Sequence, residues 1–225
     1  MLTQSELTRE FSAENMELVP AAVAAGAARV ELCDNLAAGG TTPSYGVIRA
    51  AMAFARPRDV AVMCMVRPRG GNFEYTPDEA AIMRDDLLMA KSLGVTGVVF
   101  GCLREGRLDR ELTAELVRLA HEGTPEAPHG VAVTFHMAFD ALDPNDQLEA
   151  IDWLAEQGVE RVLTHGGAAG TPIAGNVERL RAFIERAAGR LTVLPGGGIT
   201  WENAEEIARE LGVSEVHGTK IVRVG

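Results

Sequence analysis

The sequence predicts an α/β protein of the (β/α)8 barrel class. Eight short runs rich in β-branched and apolar residues recur along 225 residues, separated by alanine-rich stretches with helical patterning. Gly26, Gly94, Gly158 and Gly212 each stand two or three residues ahead of a strand, the helix C-cap of an α-to-β connection. Eight such units in this length suit a closed barrel. The alternative, an open doubly wound sheet, usually has fewer strands and a GxGxxG after the first, which is missing here. Residues 1–225 are read as one domain, since no linker or low-complexity segment interrupts them.

The strands are expected at Arg9–Ala13, Arg29–Cys33, Val60–Val66, Gly97–Gly101, Val131–His136, Arg161–His165, Leu191–Pro195 and Glu215–Gly218. The first is the weakest, with two charged residues before its apolar centre. A first helix is expected over Glu14–Gly26. Thr76-Pro77-Asp78-Glu79 is a capping box with proline at the first helical position and opens a helix to about Leu93. Asp143-Pro144 opens another that ends near Gly158. The Pro/Gly-rich stretch from Gly123 to Gly130 precedes the fifth strand, on the face of a barrel that serves stability.

Composition narrows the function. A net charge of −11 argues against nucleic acid and anionic membrane, both of which need a basic face. No apolar run reaches membrane-spanning length, and no signal peptide is visible. Three cysteines, Cys33, Cys64 and Cys102, without CxxC spacing fit a reducing cytoplasm. The partners expected are a small anion or a metal ion, with a homo-oligomer admitted.

Strand parity then selects candidates, because successive side chains point to opposite faces. If the apolar sets face the helices, Glu10 and Ser12, Glu31 and Cys33, Met63, Met65 and Arg67, Thr134 and His136, and Glu215 and His217 face the barrel axis. Glu10, Glu31, Arg67, His136 and His217 thus converge from different strands, mostly near the C-terminal ends where barrel active sites are built. Interior carboxylates need arginine, histidine or metal partners.

The loops add an anion-binding expectation. Arg67 and Arg69 bracket Pro68 where the third strand ends, the donor chemistry that holds carboxylate or phosphate. Gly196, Gly197 and Gly198 follow the seventh strand, and Gly218 and Thr219 close the eighth. Those loops cradle phosphate in many barrels.

Together these motifs resemble the CutC family, labelled copper homeostasis proteins. The resemblance is carried by Arg29-Val30-Glu31-Leu32-Cys33, Gly39-Gly40-Thr41-Thr42-Pro43-Ser44, Val66-Arg67-Pro68-Arg69-Gly70-Gly71-Asn72-Phe73 and Gly97-Val98-Val99-Phe100-Gly101. Thr134-Phe135-His136, Ala138-Phe139-Asp140, Pro195-Gly196-Gly197-Gly198 and His217-Gly218 complete it. It implies a TIM barrel, a cytoplasmic location and a role in copper handling, with Cys33 as one of two cysteines proposed for copper. Ser12 stands where the family usually has the other. Met137 replaces a usual arginine, and His165 a usual serine.

Two functional readings follow. One is a Cu(I) site, with Cys33 as thiol ligand and Met63, Met65, Met137, His136 and His165 as candidate additions. The other is an enzyme of lyase or isomerase type acting on a phosphorylated or carboxylate molecule. In it Arg67 and Arg69 clamp the anion, His136 or Glu31 is general base, His217 general acid, and Glu10 or Asp140 orients a histidine. A divalent metal on Glu10, Glu31, His136 and His217 is a variant of the second, and a non-catalytic ligand sensor a third possibility. No Schiff-base lysine stands out, Lys91 and Lys220 being the only lysines.

Overall fold

The computed structural model describes residues 7–168 and 170–224. Strands β1 (Thr8–Glu14), β2 (Arg29–Cys33), β3 (Ala61–Met65) and β4 (Gly97–Phe100) precede a short hairpin, β5 (Leu103–Arg104) and β6 (Arg107–Leu108). Then come β7 (Ala132–Phe135), β8 (Arg161–Thr164), β9 (Thr192–Pro195) and β10 (Glu215–Gly218). Among the described residues seven α-helices flank them: α1 (Val19–Ala24), α2 (Tyr45–Ala55), α3 (Pro77–Ser92), α4 (Arg110–His121), α5 (Gln147–Glu156), α6 (Val177–Ala187) and α7 (Ala204–Leu211). The eight longer strands hydrogen-bond in parallel in the order β10-β1-β2-β3-β4-β7-β8-β9, and β9 and β10 pack side by side, so the sheet is a nearly closed barrel. This is the expected (β/α)8 architecture.

Local chemistry explains the boundaries. Thr76 and Glu79 form the reciprocal capping box of α3, with Pro77 in the first turn. Gly26, Gly94, Gly158 and Gly212 all have positive φ where a helix turns toward the next strand. Two helices start later than expected. α1 begins at Val19, because β1 continues to Glu14 and Asn15 takes a left-handed φ of 54°. α5 begins at Gln147, because the Asp143 side chain accepts from Asn145 N–H in a turn. The β5–β6 hairpin was not expected. Glu105 and Gly106 both have positive φ at its turn, and Glu-Gly is a weaker sequence signal than Asn-Gly.

The core is divided by strand parity. Phe11, Val30, Leu32, Val62, Cys64, Val66, Val98, Phe100, Val133, Phe135 and Val216 point outward into one large apolar layer shared with the helices. Burying each phenylalanine there contributes roughly 1.5–3 kcal/mol. Cys33, Met63, Met65 and Val99 form a separate small cluster inside the barrel. Polar residues share the remaining inner positions with Leu163 and Leu194, which alternate with the outward Val162 and Val193. Lys91 lies on outer helix α3, donating to Leu119 O and Glu122 O, and Lys220 is exposed past β10. Neither lysine joins the inner set.

Candidate active site at the barrel mouth

Glu10 sits at the centre of an ion network inside the barrel. Its Oε2 accepts from Arg29 Nε, and its Oε1 lies 2.8 Å from His217 Nδ1. Arg29 and Arg161 both also bind Glu215 Oε2, at 2.6 and 2.9 Å. Strand register makes these meetings inevitable, since Glu10 pairs with both Arg29 and His217 across adjacent strands. Burial alone would raise the Glu10 pKa, but the His217 hydrogen bond and the Arg29 charge outweigh it and hold it at about 2.

Glu31 is the neighbouring carboxylate, and it is less well satisfied. Its Oε2 accepts from Ser12 Oγ at 3.0 Å and Cys33 Sγ at 3.6 Å, and stands 3.7 Å from His217 Nε2. Its Oε1 is buried with no hydrogen-bond partner. Burial, together with the Glu10 charge, raises the Glu31 pKa despite the opposing pull of His217. Burial works against charging His217, yet the Glu31 charge and the Glu10 hydrogen bond prevail and raise its pKa. Because Glu10 holds Nδ1, the Nε2 atom is the one turned to Glu31.

His136 is built differently. Its Nδ1 accepts from Ala138 N–H at 3.1 Å, which places the ring proton on Nε2, a buried atom without a partner. Burial and the Arg67 charge push its pKa down to about 3. The environment thus suits a neutral hydrogen-bond donor, and of the two residues expected as general base, His136 or Glu31, it leaves Glu31. Gly101 makes room for the ring: a Cβ there would stand 2.5 Å from His136 Nδ1.

The two loop arginines also differ from the expected open clamp. Arg67 donates through NH1 to Ala38 O and Gly40 O, both at 2.9 Å, and through NH2 to Gly71 O at 2.8 Å. It therefore ties the loops after β2 and β3 together, and only its Nε remains without a partner. Arg69 pairs with Glu79 and also donates to Asn72 and Glu74 O, which fixes the loop carrying Phe73.

Asp140 does not orient a histidine ring. Its carboxylate accepts from Thr164 Oγ1 and from His165 N–H, and burial raises its pKa. The His165 ring instead bridges Gly196 O and Thr171 Oγ1, at 3.2 and 3.0 Å. Gly196 N–H is used by Thr164 O, whereas the N–H groups of Gly197 and Gly198, both at positive φ, meet no acceptor among the described residues. Gly218 lies against Ile199 O, and Thr219 is exposed.

The structure thus unites Glu10, Glu31 and His217 on neighbouring strands and sets His136 apart with Arg67. The sequence reading missed Arg29, although its parity with Glu31 and Cys33 puts it on the axis. It also gave Phe73 no role, because a loop aromatic carries no periodic signal.

The donor set tests the metals. One ligand atom each from Glu10, Glu31 and His217 lies within 4.8 Å of the others. Both Glu10 oxygens are committed, however, to Arg29 and His217, so Glu31 and His217 alone remain, short of the usual three protein ligands. His136 lies outside this group. For Cu(I), Cys33 shares its cluster with the thioethers of Met63 and Met65, while Cys64 belongs to the outer layer. Burial and the Glu31 charge push the Cys33 thiol well up, which opposes thiolate formation.

The model described as the CutC family matches residues 7–222. A protein of Enterococcus faecalis named as a family protein CutC is 52% identical over 217 residues, spanning 96% of this chain and all of that one. The crystal structure of the putative copper homeostasis protein CutC from Streptococcus agalactiae superposes with a TM-score of 0.88 at 41% identity, covering 96% of this chain and 100% of that one. Deoxyribose phosphate aldolase from Aeropyrum pernix, at 14% identity and a TM-score of 0.69 over 98% of this chain and 88% of that one, shares the fold alone.

Proposed function

The chain belongs to the CutC family, and we propose that it is a proton-transferring enzyme of lyase or isomerase type, acting on a small anionic molecule at the barrel mouth. The observation that carries this reading is the line Glu10–His217–Glu31, which ends in the unpartnered Glu31 Oε1. A buried carboxylate with a free oxygen is costly unless it has work to do. Here Glu31 is the general base, and its raised pKa brings it toward the range where carboxylates exchange protons at neutral pH. His217, fixed by Glu10, returns a proton through Nε2. The free N–H groups of Gly197 and Gly198 support an acidic group of the substrate nearby. Three unpaired buried cysteines support a reducing, cytoplasmic setting, and no helix among the described residues is long and apolar enough to cross a membrane.

The test is solvent-hydrogen exchange. A panel of carboxylated and phosphorylated carbonyl compounds is incubated with the protein in D2O and followed by proton NMR. At least one should exchange, and Glu31→Gln should slow it by about 100-fold or more. Exchange that persists in the variant rejects Glu31 as base.

A second reading rests on the Cys33–Met63–Met65 cluster, one thiol and two thioethers in contact inside the barrel. It would give the copper role in the name of the Streptococcus agalactiae relative a place in this chain, as a Cu(I) site. Competition of the reduced protein with a chromophoric chelator tests it: a stoichiometric site should vanish in Cys33→Ser and strengthen in Ser12→Cys. Binding that ignores both changes rejects it.

A further inference from the structure

Two buried N–H donors at the mouth have no acceptor: Arg67 Nε and His136 Nε2. Both residues are almost wholly buried, at 3% and 4% exposure, so bulk water does not satisfy them. Both pack on the same ring, with the Arg67 guanidinium carbon 4.8 Å and the His136 ring centre 5.1 Å from the centre of Phe73. On the same face of β7, two residues before His136, the Thr134 hydroxyl is likewise buried and unpartnered. Buried donors are nearly always paired in folded proteins. The Tyr75 hydroxyl, itself buried and without a partner of its own, is the protein oxygen that comes near Arg67, and His136 Nε2 meets none. Two donors beside one aromatic ring thus leave a place for an oxygen from outside the protein. A guanidinium beside it selects an oxygen that carries negative charge.

We infer that Arg67 Nε and His136 Nε2 form an oxyanion site that holds the carbonyl oxygen of an enolisable carbonyl compound. The inference rests on the reading of Glu31 and His217 as the proton-transfer pair. β7 lies across the barrel from β1, so His136 and the Glu10–His217–Glu31 cluster stand on opposite walls of the barrel. The chemistry then balances. Glu31 takes the α-hydrogen as a proton, and the C–H electron pair becomes the new C=C bond. The carbonyl π pair moves onto oxygen, where the two N–H groups hold the enolate. Return of a proton to carbon restores the carbonyl and the starting charge.

The His136 tautomer fits this role. With Nδ1 accepting from Ala138 N–H, the ring presents Nε2–H. Burial and the Arg67 charge keep it neutral through the physiological range. A neutral imidazole can polarise a carbonyl without giving up its proton, as a preorganised oxyanion donor does. His136 therefore becomes a catalytic residue of a different kind from the base its chemistry first suggests.

The closing experiment separates this site from the acid–base pair. Oxalate, a rigid dianion resembling an enolate beside a carboxylate, is titrated by calorimetry into the full chain and into His136→Ala, His136→Gln and Glu31→Gln. Oxalate should bind the parent protein. His136→Ala should weaken it at least about tenfold, the amide donor of His136→Gln should restore most of that loss, and Glu31→Gln should retain it. Nitrogen NMR of His136 should show a protonated Nε2 and an unprotonated Nδ1 between pH 5 and 8, with Nε2 moving on oxalate addition. No oxalate binding, equal loss in both His136 variants, or the opposite tautomer overturns the oxyanion site. Loss of D2O exchange in His136→Ala with exchange intact in Glu31→Gln overturns the acid–base reading and leaves the oxyanion site standing.

Discussion

Glu10 holds His217 with one carboxylate oxygen and Arg29 with the other, whereas Glu31, beside it, leaves one oxygen unpaired. The two acids share a buried cluster but differ in what their charge contributes. Glu10→Gln removes the partner of two buried cationic groups and leaves Arg29 with Glu215 alone. Breaking a buried ion pair from one side costs about 3–5 kcal/mol. Glu31→Gln also takes a counter-charge from His217, but it removes a carboxylate that burial disfavours and that holds no arginine, so its cost should be clearly smaller than that of Glu10→Gln. Urea unfolding at pH 7 checks the contrast. Equal losses in the two variants would mean that Glu31 is as structural as Glu10.

The depressed His136 makes a prediction about acid. In the folded protein its pKa is about 3 against an ordinary 6.5. As pH falls below 6.5, the unfolded chain takes up a proton that folded His136 refuses, so stability is lost progressively down to about pH 3. The slope from this one group is about 1.4 kcal/mol per pH unit at most. His136→Gln should therefore be least stable relative to the parent at neutral pH and gain on it as pH falls. Unfolding midpoints taken at half-unit steps, parent against variant, measure the difference curve. A curve that is flat between pH 6.5 and 4 would mean that His136 titrates normally.

Much of this was legible in the sequence, for reasons the structure makes plain. The inner set of Glu10, Glu31, Met63, Met65, Arg67, His136 and His217 follows from strand parity alone, because a two-residue period fixes which face each side chain takes. What parity does not contain is which neighbour each inward group finds. Arg67 reads as a clamp because a terminal guanidinium normally meets solvent, yet here it meets three carbonyls of Ala38, Gly40 and Gly71. His136 reads as a base until the Ala138 N–H claims its Nδ1. Loop conformation decides both, and neither loop has a periodic pattern.

Arg67 should therefore behave as a tie between loops even in the absence of any anion. Arg67→Ala strands three carbonyl acceptors and should destabilise the protein by at least about 2 kcal/mol. The loosening should be local. Amide exchange should accelerate over residues 34–42 and 67–76 while α5, remote from the tie, keeps its protection. Arg67→Lys should recover little, because a single ammonium does not reproduce the planar fork that spans the loops. Uniform acceleration across the barrel, or none, would contradict this account.

The sharpest steric test lies at Gly101, where the main chain passes under the His136 ring. An alanine Cβ there would stand 2.5 Å from His136 Nδ1 and 2.8 Å from the Ala138 Cβ, closer than packed atoms tolerate. The ring must move, and its hydrogen bond from Ala138 N–H breaks with it. Overpacking of this kind costs about 1–3 kcal/mol, which a barrel with so extensive an outer core should survive. Gly101→Ala should thus stay folded, lose oxalate affinity at least about tenfold, and show a shifted His136 nitrogen spectrum, although neither donor residue has changed. Gly175→Ala is the matched control, since a Cβ there meets nothing within 4 Å. It should leave stability, binding and spectrum unaltered. Full oxalate affinity in a folded Gly101→Ala would mean that the position of the His136 ring does not govern the site.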